Sequence, residues 1–470
     1  MIPVGDRPDS APRRPLRHAV VIGGGIAGLL AARVLSDHFE RVTLLERHSL
    51  ARAPAPAPRR GVPQGAHVHV LLARGLAVAG GLFPGLAEEL RAAGAVQLNS
   101  GRDLRWHHSG GWRARYDSGL DFLSMSRPLF EAAIAGRVRA LPNLALREGV
   151  RAEGLRGDRG GAVTGLRVRS PDGGGAEEIG ADLVVDAAGR GSATPRWLAE
   201  QGFEAPPPEI LPARVAYASC LFRPSGPVPR PRGVAVGGAP ARRNGALFPI
   251  EGGRWLATLV GFFDEPMPRD HDAFLAFARS LAVPDIHEAL RGLEPLSGIA
   301  HHAFAGSLRR RYDRLERLPT GLIALGDAVC SLNPVYGQGM TVGAIEAEAL
   351  GRALARAGRE GGLGPEFGRL WFRGVAPVVD TAWAGVSLED LSFPELAARR
   401  SVRLELLQWY MRRVHRATHR SAPVTEWFYR VVNFLDPPAS LFRPGVAAAA
   451  LFGGTAPPLA SVAQAQGAVR

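Results

Sequence analysis

The sequence predicts an α/β protein in which a parallel-sheet domain is interrupted by a β-sheet insert and followed by a helical C-terminal region. Three observations carry that expectation. From His18 to Arg47 an apolar run, a glycine turn, a helical stretch and a second apolar run follow in order, the pattern of a βαβ unit. A second apolar run, Gly321 to Leu325, ends in the turn Gly326-Asp327 ahead of another helical stretch. Between these two, the residues from about 210 to 305 are strand-rich and turn on glycine pairs.

In the first unit the strand runs from Ala19 to Ile22, the helix from Ile26 to about Ser36, and the second strand from Arg41 to Leu45. Gly23, Gly25 and Gly28 hold the GxGxxG spacing. The first permits the turn, the second lets a pyrophosphate approach the backbone, and the third lets helix and strand pack closely. Phosphate charge suits the free N–H groups of a helix start, here around Ile26 and Ala27. Glu46, followed by Arg47, ends the next strand, where a carboxylate can accept hydrogen bonds from both ribose hydroxyls. These features mark a dinucleotide site without saying which dinucleotide.

Around this unit, residues 1–17 are polar and Pro-rich and predict a loose arm. ARAPAPAPRR, residues 51–60, predicts a stiff polyproline-like connector, and the turn Gly61 to Gly65 leads into helical periodicity. Asp103 to Tyr116 reads as a hairpin turning at Ser109-Gly110-Gly111. Ser126 caps a helix of about Leu129 to Arg139, with Pro128 at its start. Strands follow at Leu144 to Val150, Val163 to Val168 and Leu183 to Val185, and Pro206 to Pro208 marks a linker. Gly245 to Phe262 is a hairpin turning at Glu251-Gly252-Gly253, and His271 to Ala282 is helix-like. From Gly364 to about Leu435 the pattern is helical, with a Pro/Gly/Ala-rich tail. The domains expected are thus 18–100, 120–205 and 306–362 for the nucleotide-binding part, 101–119 and 206–305 for the β-sheet part, and 363–470 for the helical region.

Composition narrows the class. Apolar residues make up 46% and charged ones 21% of 470, as in globular proteins with more than one core. The formal charge of +13 comes entirely from arginine spread along the chain, with no lysine and no nucleic-acid motif, so no nucleic-acid partner is expected. Cys220 and Cys330 stand apart, in no metal-ligand array, and point to a reducing compartment and no metal. Arg13-Arg14 resembles a twin-arginine signal, but the apolar run behind it is the first strand and helix. No run of apolar residues is long enough to span a membrane; a cytoplasmic protein without stable membrane insertion is expected.

Pro334 and Gly337-Gln338-Gly339 precede the helix after the second turn. Asp327 can hold a ribityl hydroxyl, and a helix starting after Gly339 aims N–H groups at an edge that becomes negative when flavin is reduced. With these residues in place, the set GGGIAG, Glu46, SRPLFE, VVDAAGRGS and LGDAVCSLNPVYGQGM resembles the single-component flavoprotein monooxygenases of the para-hydroxybenzoate hydroxylase type. Within that group, RRGVPQGAHVHVLL, FPIEGGRW and NPVYGQGM look like the bacterial polyketide epoxidases acting in lasalocid and monensin biosynthesis. The resemblance runs from about residue 18 to 360 and implies a Rossmann-like, GR2-type FAD-binding domain.

Carried onto this chain, the resemblance puts Gly23, Gly25 and Gly28 on the pyrophosphate of FAD and Glu46 on the adenosine ribose. Arg127 would face the phosphates or ribityl chain, Val150 would offer its backbone to the adenine, and Gly326-Asp327 would hold the ribityl chain. Pro334, Gly337, Gln338, Gly339 and Met340 would line the flavin. Ala188 stands where many aromatic hydroxylases carry an Asp, and Thr341 where many carry Asn. The reductant is therefore open: NADPH or NADH directly, or a separate flavin reductase.

The reaction implied is epoxidation or hydroxylation of a large apolar polyketide- or terpenoid-like molecule with O2, through a flavin C4a-hydroperoxide, which needs no side-chain nucleophile. Gln64 and His67 are the candidate catalytic groups beside the flavin, although a histidine there can equally bond a backbone carbonyl at a helix start. Trp106, Trp112, Phe248 and Trp255 are candidates for the substrate pocket, or for a sheet core. Two alternatives stay open: a non-redox cyclase that keeps FAD as a structural element, and a flavin-dependent reductase of prenyl chains. The mixed Leu/Trp/Arg stretch Leu396 to His419 is expected to dock on the flavin domain with arginines outward.

Overall fold

A computed structural model describes residues 16–50, 52, 57–158, 161–170, 175–224 and 233–453. Residues 1–15, with Arg13-Arg14, half of the Pro-rich connector and the tail beyond Gly453 lie outside the described residues. Five parallel strands form the first sheet, in the order Leu322–Ala324, Leu183–Asp186, Leu16–Ile22, Phe39–Glu46, Leu144–Glu148. Leu16 and Arg17, expected in the arm, already belong to its central strand. Ala19, Val20 and Val21 are fully buried there, because the parallel sheet is covered by helices and by the antiparallel strands Arg151–Gly157, Val163–Arg169 and Glu177–Gly180, and a strand covered on both sides needs a continuous apolar run.

The helix Ile26–Ser36 leaves the central strand at the glycine turn. It packs against the helix Gly339–Arg359, which follows the second glycine turn. The helix Arg127–Arg139 starts at Ser126, whose hydroxyl accepts the Leu129 N–H at 3.2 Å. After Gly61 the chain is not yet helical. A short 3₁₀ turn, Pro63–Ala66, gives way to an extended stretch, and the helices Ala73–Leu82 and Leu86–Ala92 come later. Strand Arg151–Gly157, read within neither flanking strand, pairs with Val163–Arg169, and Pro208 opens an edge strand rather than sitting in a linker.

The second sheet has eight strands. At its centre Val215–Pro224, Arg254–Phe262 and Arg243–Ile250 run antiparallel, and Gly233–Val236 then pairs in parallel with Leu104–His108. The hairpin Leu104–His108/Gly111–Trp112 turns through Ser109 (φ 54) and Gly110 (φ 81), the double positive φ of a type I′ turn. One face of this sheet buries Ala218, Cys220, Phe222, Trp255, Ala257 and Leu259 against Phe274, Phe277 and Ile286 of the helices His271–Arg279 and Asp285–Leu290. The other face turns toward the parallel sheet. Tyr312, for which the sequence offered no role, is buried and stacks on Phe372 with centroids 4.6 Å apart.

The C-terminal region begins with the helix Phe367–Asp390 and continues with Val402–Thr418, Ala422–Val432 and Pro444–Phe452. Tyr410, Met411 and Val414 pack with Trp427, Phe428 and Leu441 and against Trp106 of the second sheet, while Leu396 and Leu404 pack into the core of the parallel-sheet domain, so the segment docks on both rather than on the parallel-sheet domain alone. Val402, Leu406 and Trp409, at the other end of the same helix, remain exposed. No helix among the described residues is long and apolar enough to cross a membrane. Phe393 is fully buried and meets Phe262 at 4.5 Å, tying the segment after Asp390 to the second sheet. Phe393→Ala should destabilise the protein by about 3–5 kcal/mol, read as a lowered unfolding midpoint in denaturant; a shift under about 1 kcal/mol would contradict this anchoring role.

Candidate cofactor and substrate site

A cavity of about 1130 Å³ opens at the carboxyl ends of the parallel strands and extends to the inner face of the second sheet. It exceeds the about 300–1,000 Å³ of ordinary small-molecule sites. Gly23 turns the chain with φ 103, and a Cβ there would fall 2.5 Å from the Ala187 carbonyl oxygen. A Cβ on Gly25 would meet nothing within 4 Å, so the backbone lies open to the cavity beside Ile26 and Ala27. Gly28 departs from the pyrophosphate placement that the resemblance implies but keeps the close-packing role expected of the third glycine. It does not border the cavity, and a Cβ there would lie 1.9 Å from the Gly23 carbonyl oxygen, so its role is close packing.

Glu46 braces this turn as well as bordering the cavity. Its carboxylate accepts the N–H groups of Gly24 at 2.8 Å and His48 at 2.9 Å, and Arg47 stands exposed beside it. Val150 also lines the cavity, but its N–H already donates to the Glu46 carbonyl at 3.0 Å. Of the backbone groups expected to meet the adenine, only its carbonyl is left.

An arginine pair sits next, the expected Arg127 and Arg59, which the sequence did not single out. Arg59 donates to Glu131 and to the Gly24 carbonyl oxygen, the latter at 3.1 Å, and lies 3.4 Å from Glu46. Arg127 shares Glu131: its buried Nε lies 3.7 Å from that carboxylate, within ion-pair reach but beyond hydrogen-bond distance. Across the cavity, burial raises the Asp327 pKa, opposed by Arg127, Arg190 and Arg310. Gly326, with φ 62, donates its N–H at 2.5 Å to Glu346, whose buried carboxyl is pushed up to about 8 by desolvation. Ala188 and Gly189 line the cavity as well. Asp186 accepts the Ala188 N–H at 2.9 Å and holds Ser192, shaping that loop.

The loop Asn333–Gly339 forms the wall opposite. Pro334, Gly337, Gln338, Gly339 and Met340 all line the cavity, and Gly337 takes φ 65. Thr341 faces away, packed against Gly75 of the helix Ala73–Leu82. The loop is pinned from below by Asp390, whose Oδ1 accepts the Tyr336 hydroxyl at 2.7 Å and the Asn333 amide at 3.1 Å. Burial pushes the Asp390 carboxyl up to about 7.

Gln64 and His67 both line the cavity. His67 lies in the extended stretch after the 3₁₀ turn, not in a helix start, and its Nδ1 meets the Ser219 hydroxyl at 2.7 Å instead of a backbone carbonyl. Ser219 in turn meets Thr258, which accepts the Val68 N–H at 2.8 Å. Burial lowers the His67 pKa to about 4, so the ring is neutral at pH 7, and its buried Nε2 has no partner within the protein.

Of the four aromatic candidates for the substrate wall, Trp106 and Phe248 line the cavity and Trp112 and Trp255 do not. The register explains the split. Phe248 pairs with Leu256, so Trp255 points to the opposite face, and Trp112 pairs with His107 rather than Trp106. Both excluded tryptophans pack toward the helices behind the sheet. Sequence reasoning missed the remaining wall, where His108, Arg113, Glu389 and His415 meet beside Phe428 and Tyr429.

The comparisons with known proteins bear on this arrangement. Residues 17–363 match the family described as FAD binding domain, and the chain belongs to that family. It is 36% identical over 441 residues to protein Rv3254 of Mycobacterium tuberculosis, covering 90% of each chain. Among solved structures it resembles p-nitrophenol 4-monooxygenase PnpA from Pseudomonas putida DLL-E4, with TM-score 0.59, 19% identity, and 89% of this chain and 98% of that one covered. It also resembles OxyS, the anhydrotetracycline hydroxylase from Streptomyces rimosus, with TM-score 0.57, 22% identity, and 89% and 76% covered. The residues present fit FAD: an open glycine backbone at Gly25, a buried Arg127 at the cavity wall whose Nε makes no hydrogen bond, and a cavity of about 1130 Å³.

Two consequences can be measured. Arg127→Ala should weaken FAD retention by about 10–100-fold, the worth of a charge-assisted hydrogen bond, with unchanged retention in equilibrium dialysis as the contrary result. Asp390 has an ordinary carboxyl value near 3.9 and a folded one of about 7, so between these the folded protein keeps a proton that the unfolded chain has lost. The associated stability is fully present below about pH 4 and is lost as pH rises through about 7; Glu346 acts in the same sense. Asp390→Asn should therefore flatten the fall in melting temperature between pH 5 and 8, and a slope equal to the parent's would refute the assignment.

Proposed function

We propose that this protein is an FAD-dependent monooxygenase that epoxidises or hydroxylates a large apolar polyketide- or terpenoid-like molecule. The observation that carries the reading is one cavity shared by two glycine turns and an apolar sheet face: Gly25 and Gly326-Asp327 at one side, Trp106, Phe122, Phe248 and Val260 at the other. Bound FAD, once reduced, supplies the activation of O2. The chain's own groups do the rest. Gly23, Gly25, Ile26 and Ala27 would receive the pyrophosphate, with Arg59 and Arg127 balancing its charge. Glu46 would accept the ribose hydroxyls and Gly326-Asp327 the ribityl chain.

The first turn of the helix Gly339–Arg359 borders the cavity, and its N–H groups would favour negative charge on the flavin's pyrimidine edge. His67, neutral and with a free Nε2, would hold or pass a proton at that atom without competing for the flavin's charge. The apolar lining beyond it excludes water from the reacting centre. The electrons would come from NADPH or NADH, directly or through a flavin reductase.

The test is anaerobic reduction of the yellow protein by NADPH, with and without a flavin reductase, followed by admission of O2 and an alkene-bearing apolar substrate. Oxygen uptake coupled to a product one oxygen atom heavier is expected. Product made under nitrogen from oxidised FAD, without any reductant, would instead favour a non-redox cyclase.

A further inference from the structure

The wall of the cavity formed by the second sheet and the C-terminal helices carries a polar set that none of the chemistry above uses. His108 lies at the end of the strand Leu104–His108, Glu389 near the end of the helix Phe367–Asp390, and His415 in the helix Val402–Thr418. The Nε2 atoms of His415 and His108 stand 3.4 and 3.7 Å from the two carboxylate oxygens of Glu389. All three residues line the cavity, and the Glu389 side chain is the one that keeps accessible surface, 21% against 5% and 7%.

The protons in this set can be assigned. Arg113 is wedged between the rings of Trp106 and Phe428, at 4.2 and 4.0 Å. It donates to Thr418 at 2.8 Å and approaches His415 Nδ1 at 3.3 Å. A guanidinium has no acceptor, so His415 Nδ1 must accept, and in the neutral ring the proton sits on Nε2, facing Glu389. Burial lowers the His415 pKa to about 4, in keeping with a neutral ring. His108 Nδ1 meets the Ser109 hydroxyl at 2.8 Å, and its Nε2 faces the same acceptor-only carboxylate. Burial opposes ionisation of Glu389, but the neighbouring His108 and His415 outweigh it and hold the carboxyl well below its usual range.

This pattern separates the ligand classes. Three such groups within 4.8 Å of one another resemble a metal set, but a metal needs the His415 Nε2 lone pair that Arg113 commits to a proton. An organic cation would meet the Arg113 charge, and an anion would meet Glu389. A neutral donor suits the site. Both histidine contacts are long, at 3.4 and 3.7 Å, so an ionised carboxylate with room for about four acceptor contacts is only partly supplied beside an apolar cavity. Resting on the proposed monooxygenase reading, we infer that Glu389, oriented by His108 and His415, binds a neutral hydroxyl group of the otherwise apolar substrate and sets which carbon faces the flavin.

The test uses the FAD-loaded full-length protein and three probes of one shape: naphthalene, 2-naphthol and 2-naphthoate, titrated by calorimetry and by perturbation of the flavin absorbance. The naphthol is expected to bind about tenfold or more tighter than naphthalene, and Glu389→Gln to cut that advantage below about threefold. An unchanged advantage in Glu389→Gln, tightest binding of the naphthoate, or no saturable binding of any probe overturns the proposal. Stoichiometric uptake of zinc or ferrous ion, lost in His108→Ala, overturns it in favour of a metal site. Nitrogen-15 correlation spectra of the parent protein provide a check independent of any variant's folding: His415 is expected as the Nε2–H tautomer, and Nδ1–H overturns the assignment. If the protein fails to take up FAD, calorimetry with the same probes still reads the hydroxyl site, so the two failures are distinguishable.

Discussion

Contact between two turn–helix units at a distance that only glycine permits governs this molecule. Ala27, at the start of the helix Ile26–Ser36, would lie 2.9 Å from a Cβ built on either Gly326 or Gly343. Gly28 meets the Gly23 carbonyl oxygen more closely still. Bare backbone at these positions lets both helices reach the same rim of the parallel sheet, so that their N-terminal N–H groups converge on one cavity. A methyl group at any of them would force the units apart, because the opposing atoms are backbone or the Cβ of a neighbouring residue in a packed interior.

Around that rim the cavity divides by chemistry. The glycine side carries Arg59, Arg127 and Asp327, a charged set that suits a phosphate-bearing ligand. On the side built by the second sheet strands alternate: Tyr217, Ala246, Phe248, Thr258 and Val260 face inward while immediate neighbours such as Leu247, Ala257 and Leu259 fill the core behind. The C-terminal helices then close the far end and contribute Glu389, Asp390 and His415. Adjacent residues on one helix thus serve different neighbours, Asp390 beneath the loop Asn333–Gly339 and Glu389 beside the two histidines.

Much of this was legible in advance. The glycine spacing, the capped helix at Ser126, both hairpins and the buried strand Leu183–Asp186 each follow from interactions within a few residues, where turn chemistry and periodicity act directly. Trp255 and Trp112 were misread for a reason the sequence itself contained, since alternation across each hairpin already placed them opposite Phe248 and Trp106. Arg59 stood at the end of a Pro-rich stretch with no periodicity to mark it, and its value lies in meeting Glu131 and Gly24, neither of them near in sequence.

By itself, then, the sequence determined the two glycine turns and the order of the elements, because local backbone sterics dictate them, while resemblance to a family pointed to most groups at the cofactor end. Only the tertiary structure decided which aromatic residues face the cavity, that Val150 has spent its N–H on Glu46, and that His108, Arg113, Glu389 and His415 meet. The physical reason is range. A glycine turn is settled by its own φ angles, whereas an arginine that assigns the proton of a histidine some three hundred residues away acts only once a sheet and two helices have been packed around both.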